Sequence, residues 1–462
     1  MSAASEVFDA IIVGAGQAGP PLAQRLCAAG MRVALIERGR FGGTCVNTGC
    51  MPTKALIASA HAAHIARRAA DFGVRLSGEV GVDLAAVMAR KDAIVARAAS
   101  GVEQSLRALE GCTVLTGQAS FEGPKTLRVG DATLSAEQIF LNVGGRALVP
   151  DMPGVSDVPV LNNSSIMALA ETPRHLVVVG GSYVGLEFAQ MFRRFGAEVT
   201  VVEKGPRVIG REDEEISAAV QAALEADGVV FRTHAECIRF APHADGVAVG
   251  VDCREGAPEV VGSHVLLAVG RRPNTDDLNL EAAGIAVDGR GYIQVNDRLE
   301  ASAAGIWALG DCNGRGAFTH TAYNDFEIVA ANLLDGADRK VTDRIETYAL
   351  FTDPPLGRVG LSEAQARAAG CAVSVATRPM TRVGRAIEKG ETQGLMKLVA
   401  DQTTGTILGA AILGVGGDEA IHAIVDLMAA GATAERLAQT VHIHPTVAEL
   451  LPTLAGGLRS AD

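Results

Sequence analysis

The chain of 462 residues is 48% hydrophobic and 20% charged, which excludes a disordered chain and allows about two to four domains with substantial cores. A formal charge of −12 argues against nucleic acid or an anionic membrane surface as a partner. Eight cysteines with one patterned pair argue against a secreted disulfide scaffold, the N-terminus lacks the basic-then-apolar pattern of an export signal, and no apolar run reaches the roughly 18 residues of a membrane span, so the default location is cytoplasmic.

Residues 10–13, Ala-Ile-Ile-Val, form a short continuous apolar run, the pattern of a parallel strand buried on both faces. The run leads into Gly14-Ala15-Gly16-Gln17-Ala18-Gly19, a helical stretch through Leu22, Leu26 and Cys27, and a second strand at residues 32–36 that ends at Glu37. Together these make a dinucleotide fingerprint. The glycines admit a pyrophosphate to the helix N-terminus, and Glu37 can bind a ribose hydroxyl pair. Pro20-Pro21 fits this helix only within its first turn.

The next stretch is Gly42-Gly43-Thr44-Cys45-Val46-Asn47-Thr48-Gly49-Cys50-Met51-Pro52-Thr53-Lys54. Two cysteines in C-x-x-x-x-C spacing run into an Ala-rich helical pattern with Pro52 in its first turn. Cys50 is then expected at a helix N-terminus, whose dipole and N–H groups favour a thiolate. The surroundings favour a redox pair. The alternatives are two core cysteines or a metal half-site, but zinc would bring tighter spacing and a second ligand pair, and neither follows. Residues 55–110 read as long helices, with His61 and His64 in structural or surface roles. Short strands are expected at residues 113–115 and 126–129, a buried strand at 138–143 running into Gly144-Gly145, and a Pro-rich linker at 150–159.

At residue 175 the first pattern begins again. Gly14 maps to Gly180, Gly19 to Gly185, Ala23 to Ala189, Gly30 to Gly196 and Glu37 to Glu203, all 166 residues on, while Gly16 maps to Ser182. One chain thus carries two dinucleotide units, an arrangement suited to moving electrons from one dinucleotide to another. Glu203 favours an unphosphorylated ribose, hence NADH over NADPH, although Lys204 and Arg207 could meet a phosphate.

Another strand and glycine turn lies at residues 265–274. A strand at 306–310 delivers Asp311, which either meets a ligand or caps the next helix. From about residue 345 the chain reads as a separate α+β domain, with strands at 394–399 and 406–413 and helices at 418–430 and 434–440. In its tail His444 precedes Pro445-Thr446, and Glu449 follows at a helix start. A lone histidine is usually structural, but this arrangement suits an imidazole oriented by a carboxylate for acid–base work.

These segments, in this order, resemble the FAD-dependent pyridine nucleotide–disulfide oxidoreductases with a C-x-x-x-x-C pair, among them dihydrolipoamide dehydrogenase, glutathione reductase and mercuric reductase. The resemblance covers the whole chain and implies an α/β fold of two Rossmann-like dinucleotide-binding domains plus a C-terminal α+β dimerisation domain. Residues 1–150 and 276–344 would form a discontinuous FAD-binding domain, 151–275 the NAD(P)H-binding domain and 345–462 the interface domain. It implies FAD held by Gly14, Gly16, Gly19, Glu37, Gly43, Thr44, Gly145 and Asp311, the last on the ribityl chain. NADH or NADPH would be held by Gly180, Gly185, Glu203 and Gly270, with Tyr183 as the gate over the flavin and Glu187 paired with Lys54 near it. Cys50 would be the flavin-proximal thiol and Cys45 the interchange thiol. His444, oriented by Glu449, would move the substrate's proton from the partner subunit of an obligate homodimer. No resident metal is expected.

The electron acceptor implied is a small-molecule disulfide or oxidised thiol. The alternatives are a mercuric or other metal-ion reductase using the same cysteines, and a dihydrolipoamide dehydrogenase serving a 2-oxoacid dehydrogenase complex. The chain shows neither the vicinal tail cysteines nor the N-terminal metal-binding domain of many mercuric reductases, and no glutathione-binding arginines are recognisable. The stretches around Cys50 and at residues 318–326 look more like mercuric-reductase-like and reactive-chlorine-resistance flavoproteins.

Overall fold

The structure, a computed structural model, describes residues 6–236, 238–251 and 258–460; residues 1–5 of the N-terminal stretch and Ala461-Asp462 of the tail lie outside them. The chain divides into two compact units, one of Met1–Ala55, Ala86–Leu148 and Gly270–Arg344, the other of Leu56–Ala85, Val149–Val269 and Ile345–Asp462.

In the first unit, strand Glu6–Val13 lies between the parallel strands Val33–Glu37 and Ala132–Leu141. Cys112–Thr116 extends the sheet beyond Val33–Glu37, and Ile306–Ala308 pairs parallel with Ala132–Leu141. The continuous apolar run is explained by two cores. Ile11 and Val13 face a cluster with Phe121, Leu127, Ile139 and Ile306. Ala10 and Ile12 face another with Leu22, Leu26, Leu35, Phe140 and Trp307. Ile11, Ile12 and Leu35 are each fully buried, and each burial contributes about 1.5–3 kcal/mol. Both prolines fall in the first turn of helix Gly19–Ala28, as expected.

The expected long helices resolve as Cys50–Arg67 and Leu84–Arg107, with a short 3₁₀ turn at Ala69–Phe72 between them. A short helix, Gly43–Asn47, was not anticipated from the sequence and carries Cys45.

The second unit contains a parallel sheet ordered Val230–Arg232, Glu198–Val202, His175–Val179, His264–Leu267. Its helix Tyr183–Phe195 buries three polar residues, Glu187, Gln190 and Arg194. Each has a partner. Glu187 accepts from the N–H of Phe351 (3.0 Å), Gln190 exchanges two bonds with the Asp353 backbone (2.7 and 2.8 Å), and Arg194 binds Asp227 (2.8 Å) and Asp353 (2.6 Å). His61 meets the same Asp353 carboxylate at 2.9 Å, a structural role consistent with the sequence reading.

A six-stranded antiparallel sheet, from Thr347–Leu350 through Leu356–Gly360, Ile407–Leu413, Leu395–Asp401 and Val373–Pro379 to Arg459–Ser460, completes this unit. The helix expected at 418–430 is split into Gly417–Ala420 and His422–Ala429. The next, Ala434–Ala438, stops early, where the Thr440 hydroxyl bonds back to the Leu437 carbonyl at 2.7 Å.

Candidate functional site

The repeat seen in the sequence is reproduced in atomic detail. Gly14 has φ +108 and Gly180 has φ +113. A Cβ on Gly14 would stand 2.3 Å from the Asn142 carbonyl oxygen, and one on Gly180 2.4 Å from that of Ala268. Only glycine fits either position. The acids match as well. The Glu37 carboxylate accepts from the N–H groups of Ala15 and Gly39, both at 2.8 Å, and Glu203 accepts from those of Gly181 and Gly205, both at 2.7 Å. Each turn therefore holds a carboxylate that can accept from ribose hydroxyls at the end of its second strand, and beside it a helix N-terminus whose N–H groups suit a pyrophosphate.

At the one mismatch, a Cβ on Gly16 would meet the Asn142 side chain at 3.1 Å. In the first unit the cysteine loop crosses the glycine turn. The Gly42 N–H donates to the Ala15 carbonyl (2.9 Å), Gln17 Nε2 donates to the Gly42 carbonyl (2.9 Å), and a Cβ on Gly43 would lie 2.8 Å from Gly16 Cα. Gly16 and Gly43 are thus backbone against backbone. Ser182, the counterpart of Gly16, is exposed and has room for a side chain.

That crossing sets the cysteines beside the first turn. Cys45 sits in helix Gly43–Asn47 and Cys50 opens helix Cys50–Arg67, with Gly49 between them packed against the Thr44 carbonyl. Both residues carry thiols in this structure. They share a hydrogen bond that, with burial and the charge on Cys50, pushes proton loss from Cys45 well up; Lys54 and Thr319 pull weakly the other way. Cys50 stands at the helix N-terminus, whose dipole and N–H groups favour a thiolate. Thr319, first residue of helix Thr319–Leu334, brings its hydroxyl to 3.4 Å from Cys50 Sγ.

Asp311 lies inside the 3₁₀ turn Gly310–Asn313, and the next helix is capped at Phe318, so the capping alternative falls away. Burial pushes its carboxyl pKa up while Arg271 draws it down. Arg271 Nη2 stands 3.4 Å from Asp311 and 3.4 Å from the Thr44 hydroxyl, and also donates to the Gly145 carbonyl. Thr44, Gly145 and Asp311 thus meet around an arginine that the sequence reading passed over. Gly270, with φ +133, precedes it and accepts from the Leu148 N–H at 3.0 Å.

In the second unit a pocket of about 330 Å³ is lined by Gly181, Ser182, Glu203, Gly205, Arg207 and Ile209, among others. Arg207 points a guanidinium nitrogen at the Glu212 carbonyl (3.5 Å). Tyr183 opens the adjoining helix and donates to Glu212 Oε1 at 3.0 Å. Lys54 belongs to the first unit and Glu187 to the second.

His444 is 80% exposed and its Nδ1 is 2.7 Å from Glu449 Oε2, whose side chain is 14% exposed. The local sequence builds this. The Thr446 hydroxyl accepts from the Glu449 N–H (3.2 Å) and donates to the Ile443 carbonyl (2.7 Å), folding the carboxylate back onto the imidazole. Arg385 holds the turn through the Pro445 carbonyl. Val441 and Ile443 alongside are 97% and 80% exposed.

Among the described residues no group of three or more His, Cys, Asp or Glu is placed to hold a metal ion, and no helix is long and apolar enough to cross a membrane. Sequence reasoning missed Thr319, Arg271, Glu212 and Tyr348. Thr319 and Arg271 lay in stretches already singled out, at residues 318–326 and 265–274; Glu212 and Tyr348 did not.

Comparison with known proteins gives a consistent result. Residues 8–325 match the model of the pyridine nucleotide-disulphide oxidoreductases, and residues 347–455 that family's dimerisation domain. The chain is 36% identical to the probable pyridine nucleotide-disulfide oxidoreductase RclA of Escherichia coli, over 97% of this chain and 98% of that protein. It is 35% identical to a dihydrolipoyl dehydrogenase of Thermus scotoductus (98% of each chain) and 34% to a mercuric reductase of Streptomyces lividans (97% and 95%). A solved Cu(II) complex of the HOCl-induced flavoprotein disulfide reductase RclA from Escherichia coli superposes with a TM-score of 0.88 at 34% identity, over 98% of this chain and 99% of that one.

Proposed function

The chain belongs to the pyridine nucleotide-disulphide oxidoreductase family, and we propose that it carries electrons from NADH, through FAD, to Cys45 and Cys50 and on to a small-molecule disulfide or oxidised thiol. The observation that carries this reading is the crossing of Gly43 over Gly16, which sets a thiol pair against a dinucleotide cradle within one unit. FAD fits that unit. Gly14, Gly16 and Gly19 let the turn close tightly on itself and on Asn142 beside the helix N-terminus, Glu37 is held in place at the strand end, and Thr44, Gly145, Arg271 and Asp311 supply a polar cluster. When bound, the flavin would supply two-electron transfer between a hydride donor and a disulfide. The acid Glu203 at the second turn supports NADH over NADPH. The domain reading follows the same lines: FAD on residues 1–150 and 276–344, nicotinamide on 151–275, and the subunit interface on 345–462.

The chain's own residues divide the sulfur chemistry. Cys45 holds its proton against Cys50, so it needs a base before it can attack. His444, oriented by Glu449, takes that proton; Cys45 thiolate attacks one sulfur of the substrate disulfide; and the departing thiolate receives the proton back from His444. Cys50 then attacks Cys45 in the mixed disulfide, its proton passing to the second departing thiolate, which leaves as a thiol, and the Cys45–Cys50 bond is formed. Two protein thiols are oxidised as one substrate disulfide is reduced to two thiols. The exposed Val441 and Ile443 beside His444 suit a subunit interface, and in this reading the His444–Glu449 pair serves the site of the other protomer of a homodimer. A reducing cytoplasm is the compartment that suits such a pair.

Anaerobic titration with NADH and NADPH, followed by steady-state assays with lipoamide, glutathione disulfide, Cu(II) and Hg(II), tests the proposal in wild type and Cys45→Ser. We expect NADH to bleach the flavin in both proteins and disulfide turnover in wild type alone. Disulfide turnover by Cys45→Ser would refute the thiol relay. A second reading, metal-ion reduction at the same pair, draws on the two adjacent thiols and on the similarity to mercuric reductase and to a protein solved with Cu(II). Metal-dependent NADH oxidation without disulfide turnover would favour it.

A further inference from the structure

Tyr183 does not rest on packing alone. Its hydroxyl shares one carboxylate oxygen, Glu212 Oε1, with the hydroxyl of Tyr348, at 3.0 Å and 2.6 Å respectively. The two rings meet edge to face, 5.4 Å between centroids at 85°. The Arg211 guanidinium lies over both, 5.8 Å from the Tyr183 ring and 5.6 Å from the Tyr348 ring. The other oxygen, Glu212 Oε2, faces Arg358 Nε at 3.6 Å, and both of these side chains are only 1% exposed. Neither Nη of Arg358 has a hydrogen-bond partner among the described residues, so Glu212 is the countercharge of this buried guanidinium. The loop that carries Glu212 is tied to the glycine turn through the Ile209 N–H, which donates to the Gly181 carbonyl at 2.8 Å.

We propose that Glu212, Tyr348 and Arg358 form a latch that holds the Tyr183 gate closed and lets it open at low cost. This rests on the reading of Tyr183 as the gate that covers the flavin until the nicotinamide arrives. When Tyr183 swings away, Glu212 keeps the shorter bond from Tyr348 and the charge of Arg358, so no buried carboxylate oxygen is stranded. Leaving a buried acceptor without a partner costs far more than exchanging one bond for another. Tyr348 is therefore the standby donor that makes Tyr183 releasable. Both are positioning residues for nicotinamide entry.

The two phenol hydroxyls then have opposite effects. In Tyr183→Phe the closed state loses its bond while Tyr348 still satisfies Glu212, so the gate opens more readily. In Tyr348→Phe, Tyr183 is left as the only phenol donor to Oε1, so opening strands that oxygen and the gate opens less. A nicotinamide that binds only the open form sees an apparent Kd divided by the open fraction. The test is calorimetric titration of the oxidised holoenzyme with NAD⁺, which binds without electron transfer, together with anaerobic stopped-flow flavin reduction by NADH. Relative to wild type we expect Kd to fall about fivefold in Tyr183→Phe and to rise about fivefold in Tyr348→Phe, with the flavin-reduction rate at low NADH moving in the matching opposite senses. A general loss of structure would move both variants the same way.

Tyr183→Ala, which removes the ring, separates the two levels of the argument. If Tyr183→Ala alters NAD⁺ affinity but the phenylalanine variants shift together or not at all, the latch is overturned and the gate stands. If Tyr183→Ala also leaves affinity and reduction unchanged, the gate reading fails and takes the latch with it.

Discussion

Gly43→Ala tests the crossing on which the thiol site depends. Gly43 has φ +62, where an alanine costs about 1–2 kcal/mol. Its new Cβ would also stand 2.8 Å from Gly16 Cα, a backbone atom that cannot rotate aside. Relieving such a contact forces a backbone shift of the kind that costs about 1–3 kcal/mol. Gly73 supplies the control, since it has φ +74 and nothing within 4 Å of a built Cβ. Gly73→Ala therefore carries the conformational cost alone. Thermal unfolding should place Gly43→Ala several degrees below Gly73→Ala, at about 2–4 °C per kcal/mol for a unit of this size. Because the shifted loop lies on the dinucleotide turn, Gly43→Ala should also lose FAD during gel filtration, read from the visible absorbance, while Gly73→Ala keeps it. If Gly43→Ala unfolds no lower than Gly73→Ala and retains its flavin, then the loop is not docked on the turn and the central observation is wrong.

Three further outcomes follow from the geometry. His444→Gln should lower disulfide turnover about a hundred- to ten-thousandfold while leaving flavin bleaching by NADH intact; turnover near the wild-type rate would remove His444 from the proton path. Thr319→Val keeps the side-chain shape but removes the hydroxyl 3.4 Å from Cys50 Sγ, and thiol–disulfide exchange followed in a single turnover should slow about fivefold at unchanged FAD content. An unchanged exchange rate would show that the contact is incidental. The His61–Asp353 pair makes stability pH-dependent. The hydrogen bond to Asp353 raises the His61 pKa above its ordinary 6.5. A raised pKa means that the folded state holds the proton more tightly, so this contribution is complete below the unfolded value and is lost as pH rises through the folded one. With the His61 side chain 45% exposed the effect is modest. The Tm gap between wild type and His61→Gln should be largest near about pH 5.5 and shrink by about pH 8.5; a gap that widens with pH would reverse the assignment.

The sequence alone determined the two dinucleotide turns, the cysteine loop and the histidine–carboxylate tail. Each of these is a local demand. A backbone carbonyl packed 2.3 Å from where a Cβ would sit admits only glycine, and a strand covered on both faces must be apolar throughout, so both features appear within a few neighbouring residues. The Thr446 hydroxyl that turns Glu449 onto His444 is equally local. Tertiary structure alone decided what surrounds them. Thr319 reaches Cys50 across 269 residues, Arg271 reaches Thr44 across 227, and Tyr348 reaches Glu212 across 136. A single hydroxyl or guanidinium placed by a distant strand or helix end leaves no periodicity and no spacing to read. The exception in the repeat belongs to the same category. Serine at position 182 looks like decay of the motif until the fold shows what surrounds position 16: a Cβ there would meet the Asn142 side chain at 3.1 Å, whereas Ser182 is exposed.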